Sequence, residues 1–158
     1  MGIREATLAD TPALMELYDG SLRYMASLQP TVWRVVPQSP EFAQNAVIDP
    51  NASLLVWDEN GALLGLAAVF LHEAEEKPIR FASRYADLDT LFVRPAFRGR
   101  GIGTALLHAA KQWAVLQGCN HLELMTLGEN SAARQFYANH GMKERNIILW
   151  TSLPDRQD

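Results

Sequence analysis

Asp87-Leu88-Asp89-Thr90-Leu91-Phe92-Val93-Arg94-Pro95-Ala96-Phe97-Arg98-Gly99-Arg100-Gly101-Ile102-Gly103 is the stretch on which the reading turns. Leu91, Phe92 and Val93, with Thr90 before them, have the composition of a strand. Arg94-Pro95 ends it, because proline lacks the N–H that a ladder needs and restricts its predecessor. Glycines follow at alternate positions 99, 101 and 103, and then Thr104-Ala105-Leu106-Leu107-His108-Ala109-Ala110, a helical run. The order is strand, glycine-rich turn, helix. Bare N–H groups at a helix start, with the positive end of the dipole, hold anions. Glycines let a bulky phosphate approach the backbone, and Arg94, Arg98 and Arg100 bring positive charge to the same turn. A pyrophosphate site is preferred over a ligand-free connection. A Walker-type loop is excluded, since the turn has no lysine. The dinucleotide fingerprint fails too, because its third glycine would fall on Thr104 or Leu106.

The rest of the chain sets bounds. Its 158 residues suit one domain, expected over 1–153, with a polar tail over 154–158. A net charge of −4 speaks against nucleic acid as a partner. No apolar run approaches the length of a membrane span, and the N-terminus does not read as a signal peptide. Cys119 is the one cysteine, which excludes an internal disulfide and fits a reducing, cytoplasmic setting. It reads as a small core residue rather than a nucleophile. The four histidines lack metal-ligand spacing, so no metal is expected.

Strands are expected at 2–6, 53–57, 62–70, 79–93, 121–126 and 146–153, with 72–78 a loop and Asn60-Gly61 a hairpin turn. A helix starts at Asp10 or Thr11, with Pro12 in its first turn, and Gly20 interrupts it. Further helices are expected at 41–48, from the glycine turn to Gly118, and from Asn130 or Ser131 to His140.

Two patterns now combine. The turn fits Arg/Gln-x-x-Gly-x-Gly/Ala as Arg98-Gly99-Arg100-Gly101-Ile102-Gly103. The later helix fits Asn-x-x-Ala-x-x-Phe-Tyr-x-x-x-Gly as Asn130, Ala133, Phe136, Tyr137 and Gly141. Over roughly 83–141 the chain resembles the acetyl-CoA-binding motif of the GNAT superfamily of N-acetyltransferases. The resemblance implies an α/β (α+β) fold, with a mixed, mostly antiparallel central sheet flanked by helices. It implies acetyl-CoA as cofactor, with the CoA pyrophosphate on the turn from Arg98 to Thr104. The pantetheine arm would lie on the backbone of Leu91, Phe92 and Val93 and on Asn130, with Tyr137 beside the sulfur. Asn130 and Tyr137 are seven apart, about 700° of helical turn, so they share a face.

The implied reaction is direct acetyl transfer to a small-molecule or peptide amine. A backbone N–H near Phe92 or Val93 is placed to stabilise the oxyanion, and Tyr137 to protonate the leaving thiolate. Many relatives carry a glutamate base where this chain has Met125, which cannot accept a proton. Polyamine acetyltransferases of the superfamily place a glutamate at the position of Asp89, so Asp89 is the expected base. Asp87 lies on the same face by period two and is expected to bind a cationic substrate. Tyr24 and Trp33 are expected to shape the acceptor pocket. A homodimer is left open. The competing class is a CoA-binding sensor or partner subunit without turnover, which Met125 keeps in view.

Overall fold

The computed structural model describes residues 1–154, which fall into two units divided after Leu127. Except for Pro154, the expected polar tail lies outside the described residues. No helix among the described residues is long and apolar enough to cross a membrane.

The first unit is built on a five-stranded sheet whose strands lie in chain order. They are β1 (Gly2–Glu5), β2 (Ala52–Glu59), β3 (Ala62–Ala74), β4 (Ser83–Val93) and β5 (His121–Glu123). The first four pair antiparallel, and β5 joins β4 in parallel. A parallel neighbour needs a crossover, which α3 (Ile102–Leu116) supplies. Asn60 and Gly61 close the β2–β3 hairpin with φ of 56° and 85°, as a type I′ turn requires.

Both faces of the sheet are covered. Leu66 and Ala68 of β3 share a core with Leu14, Leu17 and Tyr18 of α1 (Thr11–Leu28) and Ala43 of α2 (Pro40–Ile48). Gly65, pointing the other way, meets Leu106 and Ile102 of α3. Burial on both sides explains why β3 is almost wholly apolar up to Phe70.

The expected break at Gly20 is absent, and α1 runs through it. Glycine is there for space: a Cβ would lie 2.7 Å from the Phe92 ring. Gly20→Ala ordinarily gains up to about 1 kcal/mol in a helix, but forcing a methyl against a buried ring costs about 1–3 kcal/mol. The expected outcome is a net loss of about 1 kcal/mol, read as a lower urea midpoint at unchanged slope. A raised midpoint would show that the ring yields freely.

Three strand boundaries are corrected. β3 continues to Ala74 because Phe70 to Ala74 find partners in Asp87 to Ser83. For the same reason β4 starts at Ser83 rather than at 79. β5 is only three residues long and ends at Glu123. Its brevity follows from β4: Val69 opposes Leu88 and Ala68 opposes Thr90, so Asp89 is an extra, bulged residue. A bulge bends its strand. Parallel pairing with β5 covers only Tyr85 to Asp87. Beyond Asp87 the outer edge of β4, including Leu91 to Val93, faces no strand among the described residues.

The second unit holds α4 (Ser131–Asn139). Gly141 ends it at φ 78°, with the N–H groups of Gly141 and Met142 donating to the carbonyls of Ala138 and Tyr137. The expected strand at 146–153 is not formed. Strand composition needs a ladder partner and finds none here, leaving Ile147, Ile148, Leu149 and Trp150 exposed.

Candidate active site

The glycine turn has the backbone its sequence requires. Gly99 and Gly101 have φ of 77° and 80°, the left-handed region that costs an L side chain about 1–2 kcal/mol. A Cβ built at either meets no atom within 4 Å, so the space before them is open. Gly101 is the N-cap of α3 and no side chain caps it. The first intrahelical bond runs from Ala105 N to Gly101 O, at 3.0 Å. The start of this 15-residue helix thus has no side-chain cap, which suits an anion. A groove of about 710 Å³ runs from Gly101 past Thr104 and His108 to Gln112, with Ile3 across from them.

Of the three arginines expected to supply charge, two are engaged elsewhere. Arg94 pairs with Glu16 at 2.7 Å and donates to the Leu63 carbonyl, and Arg100 pairs with Glu59 at 3.0 Å. No carboxylate pairs with Arg98 among the described residues. Its Nε donates to the Val93 carbonyl at 3.0 Å, and its guanidinium lies 5.3 Å and 5.5 Å from the Tyr24 and Phe92 ring centroids. Arg98 is thus held at the strand end by two rings, a cation–π arrangement. Tyr24, expected in the acceptor pocket, supports Arg98 instead.

A cleft of about 430 Å³, a size typical of ligand sites, lies at the bulge of β4. Asp87 and Asp89 line it together with His72, Phe70, Phe42 and Asp49. The bulge delivers Asp89 there, and its carboxylate accepts from the Thr90 hydroxyl at 3.1 Å. Burial raises the Asp87 pKa above the usual carboxylate range. The neighbouring charges of Asp89 and Glu123 push the same way, and His72 opposes them. Glu123 sits opposite Asp87 across the β4–β5 pair, two residues before the exposed Met125.

Trp33 does not line the cleft; its indole N–H donates to Gln29 Oε1 at 3.1 Å. Phe42 and Asp49, which do line it, carry no motif, since α2 reaches β3 and β4 only through the fold. Cys119 is half-buried, rather than a core residue, and burial raises its thiol pKa, which disfavours the nucleophilic thiolate.

In the second unit, Asn130 caps α4, its side-chain oxygen accepting from Ala133 N at 3.1 Å. Tyr137 is half-buried, and burial pushes its phenol up to about 12.

Residues 13–142 match the family described as Acetyltransferase (GNAT) family. This chain belongs to the GNAT acetyltransferase family. With the family comes its cofactor, acetyl-CoA, and the open turn and uncapped helix start fit the pyrophosphate of that molecule.

Several known proteins are similar to this chain. An uncharacterized N-acetyltransferase of Methanocaldococcus jannaschii, MJ1207, is 34% identical over 100 residues, which span 55% of this chain but only 44% of that protein. An aminoglycoside N(6')-acetyltransferase type 1 of Klebsiella aerogenes is 31% identical over 104 residues, 66% of this chain and 67% of that one. A mutant of the BH1408 protein from Bacillus halodurans superposes with a TM-score of 0.93 at 24% identity, over 98% of this chain and all of that one. The aminoglycoside N-acetyltransferase AAC(6')-Iy, solved in complex with CoA, gives a TM-score of 0.69 at 18% identity, over 96% of this chain and 99% of that one. At those identities the two structures establish the fold.

Proposed function

We propose that this GNAT protein moves an acetyl group from acetyl-CoA to a primary amine by direct attack of the nitrogen. The observation that carries this reading is the pair of openings on β4: an uncapped glycine turn past its end, and a carboxylate-lined cleft at its bulge. Acetyl-CoA, when bound, supplies a thioester carbonyl to the amine.

The amides from Arg98 to Thr104 grip the diphosphate. N–H groups on the open edge near Phe92 and Val93 stabilise the negative charge that develops on the carbonyl oxygen. Asp89 takes the proton that leaves the attacking nitrogen. Tyr137 donates a proton to the departing sulfur, and a phenol raised to about 12 holds that proton across the working range. Asp87 holds the acceptor's positive charge. Cys119 takes no part, since direct transfer needs no enzyme nucleophile.

The acidic lining favours cationic acceptors. Aminoglycosides, the substrates named for the Klebsiella relative, belong in the first panel; so do aminoalkylphosphonates, named for a Salmonella typhimurium relative, which the carboxylates would repel. Thiol release from acetyl-CoA across amines of both kinds tests the reading. Turnover on cationic amines is expected. Tight CoA binding with no turnover on any amine would make the protein a sensor instead.

Asp89→Asn is expected to lower kcat/KM about 10²-fold at neutral pH. The deficit should narrow as pH approaches the amine's own pKa of about 10, where the nucleophile needs no base. A parallel loss at every pH would rule out Asp89 as the base.

A further inference from the structure

The three arginines at the glycine turn are held in two different ways. Arg94 and Arg100 each pair with a glutamate, which neutralises them. Arg98 is held by rings instead. Its guanidinium lies 5.3 Å from the Tyr24 ring centroid and 5.5 Å from that of Phe92, while Nε donates to the Val93 carbonyl at 3.0 Å. A ring attracts a guanidinium through the ring's face and takes up none of the N–H donors that lie in the guanidinium plane. Arg98 is thus fixed in place with its charge intact, and the residue is exposed.

The Tyr24 ring comes from α1, which meets this end of β4 along one stripe. Glu16, Gly20 and Tyr24 are four apart and share a side of the helix. Glu16 pairs with Arg94, Gly20 sits against the Phe92 ring, and Tyr24 meets Arg98. Three successive turns of α1 therefore touch the strand end and the first residue of the glycine turn. Tyr24 is half-buried and is not among the residues that line the carboxylate cleft.

We infer that Tyr24 is a positioning residue for the CoA diphosphate, its ring aiming the Arg98 guanidinium at the glycine turn without neutralising it. The inference rests on the diphosphate site proposed above and adds a residue to it. A carboxylate in place of the ring would fix the arginine as well, but would compete with the diphosphate for the same donors. Without the ring, the long side chain regains rotamers that the cofactor must freeze on binding. The cost falls on the cofactor and spares the acceptor.

Calorimetric titration with CoA, beside steady-state kinetics, tests this. Tyr24→Leu is expected to weaken CoA binding about fivefold, the order a cation–π contact supports. At saturating acetyl-CoA, kcat and the acceptor KM should stay within about twofold of wild type. Tyr24→Phe keeps the ring and should bind CoA as the wild type does. Arg98→Met is expected to weaken CoA binding by itself, and adding Tyr24→Leu to it should cost nothing more. A Tyr24 that served stability alone would impose the same loss in both backgrounds. Arg98→Lys leaves α1 untouched and keeps the charge, but gives up the planar face; it should lose about as much as Tyr24→Leu.

CoA affinity within about twofold of wild type in Tyr24→Leu overturns the inference. So do equal losses with and without Arg98, or an Arg98→Lys variant that binds CoA normally. A raised acceptor KM with CoA binding unchanged also overturns it and returns Tyr24 to the acceptor pocket. The enzymatic reading is scored separately. Ring-dependent CoA binding without turnover on any amine supports this inference while sinking that reading; normal turnover with CoA binding indifferent to Tyr24 does the reverse. A wild-type protein that does not bind CoA overturns both.

Discussion

Gly101→Glu is expected to abolish CoA binding, while Gly101→Ala weakens it less than about tenfold. Both replace a glycine at φ 80° and so share the same backbone cost, about 1–2 kcal/mol. Neither meets a neighbour, because a Cβ at this position faces open space. The difference between them is therefore charge. A glutamate here carries its carboxylate into the space before the uncapped amides of α3, where it occupies their donors and repels a diphosphate. A loss beyond about a hundredfold is expected for Glu by calorimetry, as nearly three kcal/mol of charge repulsion and blocked donors would give. Equal losses in the two variants would place the phosphate contacts elsewhere.

Tyr137→Phe should lower kcat about 10²-fold or more with CoA affinity within a factor of two. The ring and its packing remain, and only the proton donor goes. Burial pushes the phenol up to about 12, so the hydroxyl stays protonated through neutral and moderately alkaline pH. Wild-type turnover should accordingly show no falling alkaline limb below about pH 11. A mutant kcat within threefold of the wild type would remove Tyr137 from the chemistry.

What the sequence could reveal was local. Strand, turn and helix around Gly99 to Gly103 were legible because glycine and proline act through their own φ and their own N–H. Asn60-Gly61 announced its hairpin for the same reason. Asp87 and Asp89 were expected in one place by strand periodicity, and both line the cleft. The bulge that puts Asp89 there could not be read, since it depends on the register with β3.

Features set by distant partners were misread. Gly20 looked like a helix break because its reason is the Phe92 ring, far along the chain. Arg94 and Arg100 were expected to bring charge to the turn, and the carboxylates that pair with them, Glu16 and Glu59, are remote in sequence. Tyr24 looked like a pocket wall and carries Arg98. The segment at 146–153 has strand composition, but composition names no partner, and none is present among the described residues. Phe42 and Asp49 had no signal because each reaches the cleft only through the packing of α2 on the sheet.

The most direct measurement is a crystal structure of the protein with CoA. Diphosphate oxygens should lie within about 3.2 Å of backbone nitrogens between Gly99 and Thr104, with the pantetheine arm along the open edge of Leu91 to Val93. A complex with the diphosphate bound away from that turn, its amides still facing solvent, would contradict the account.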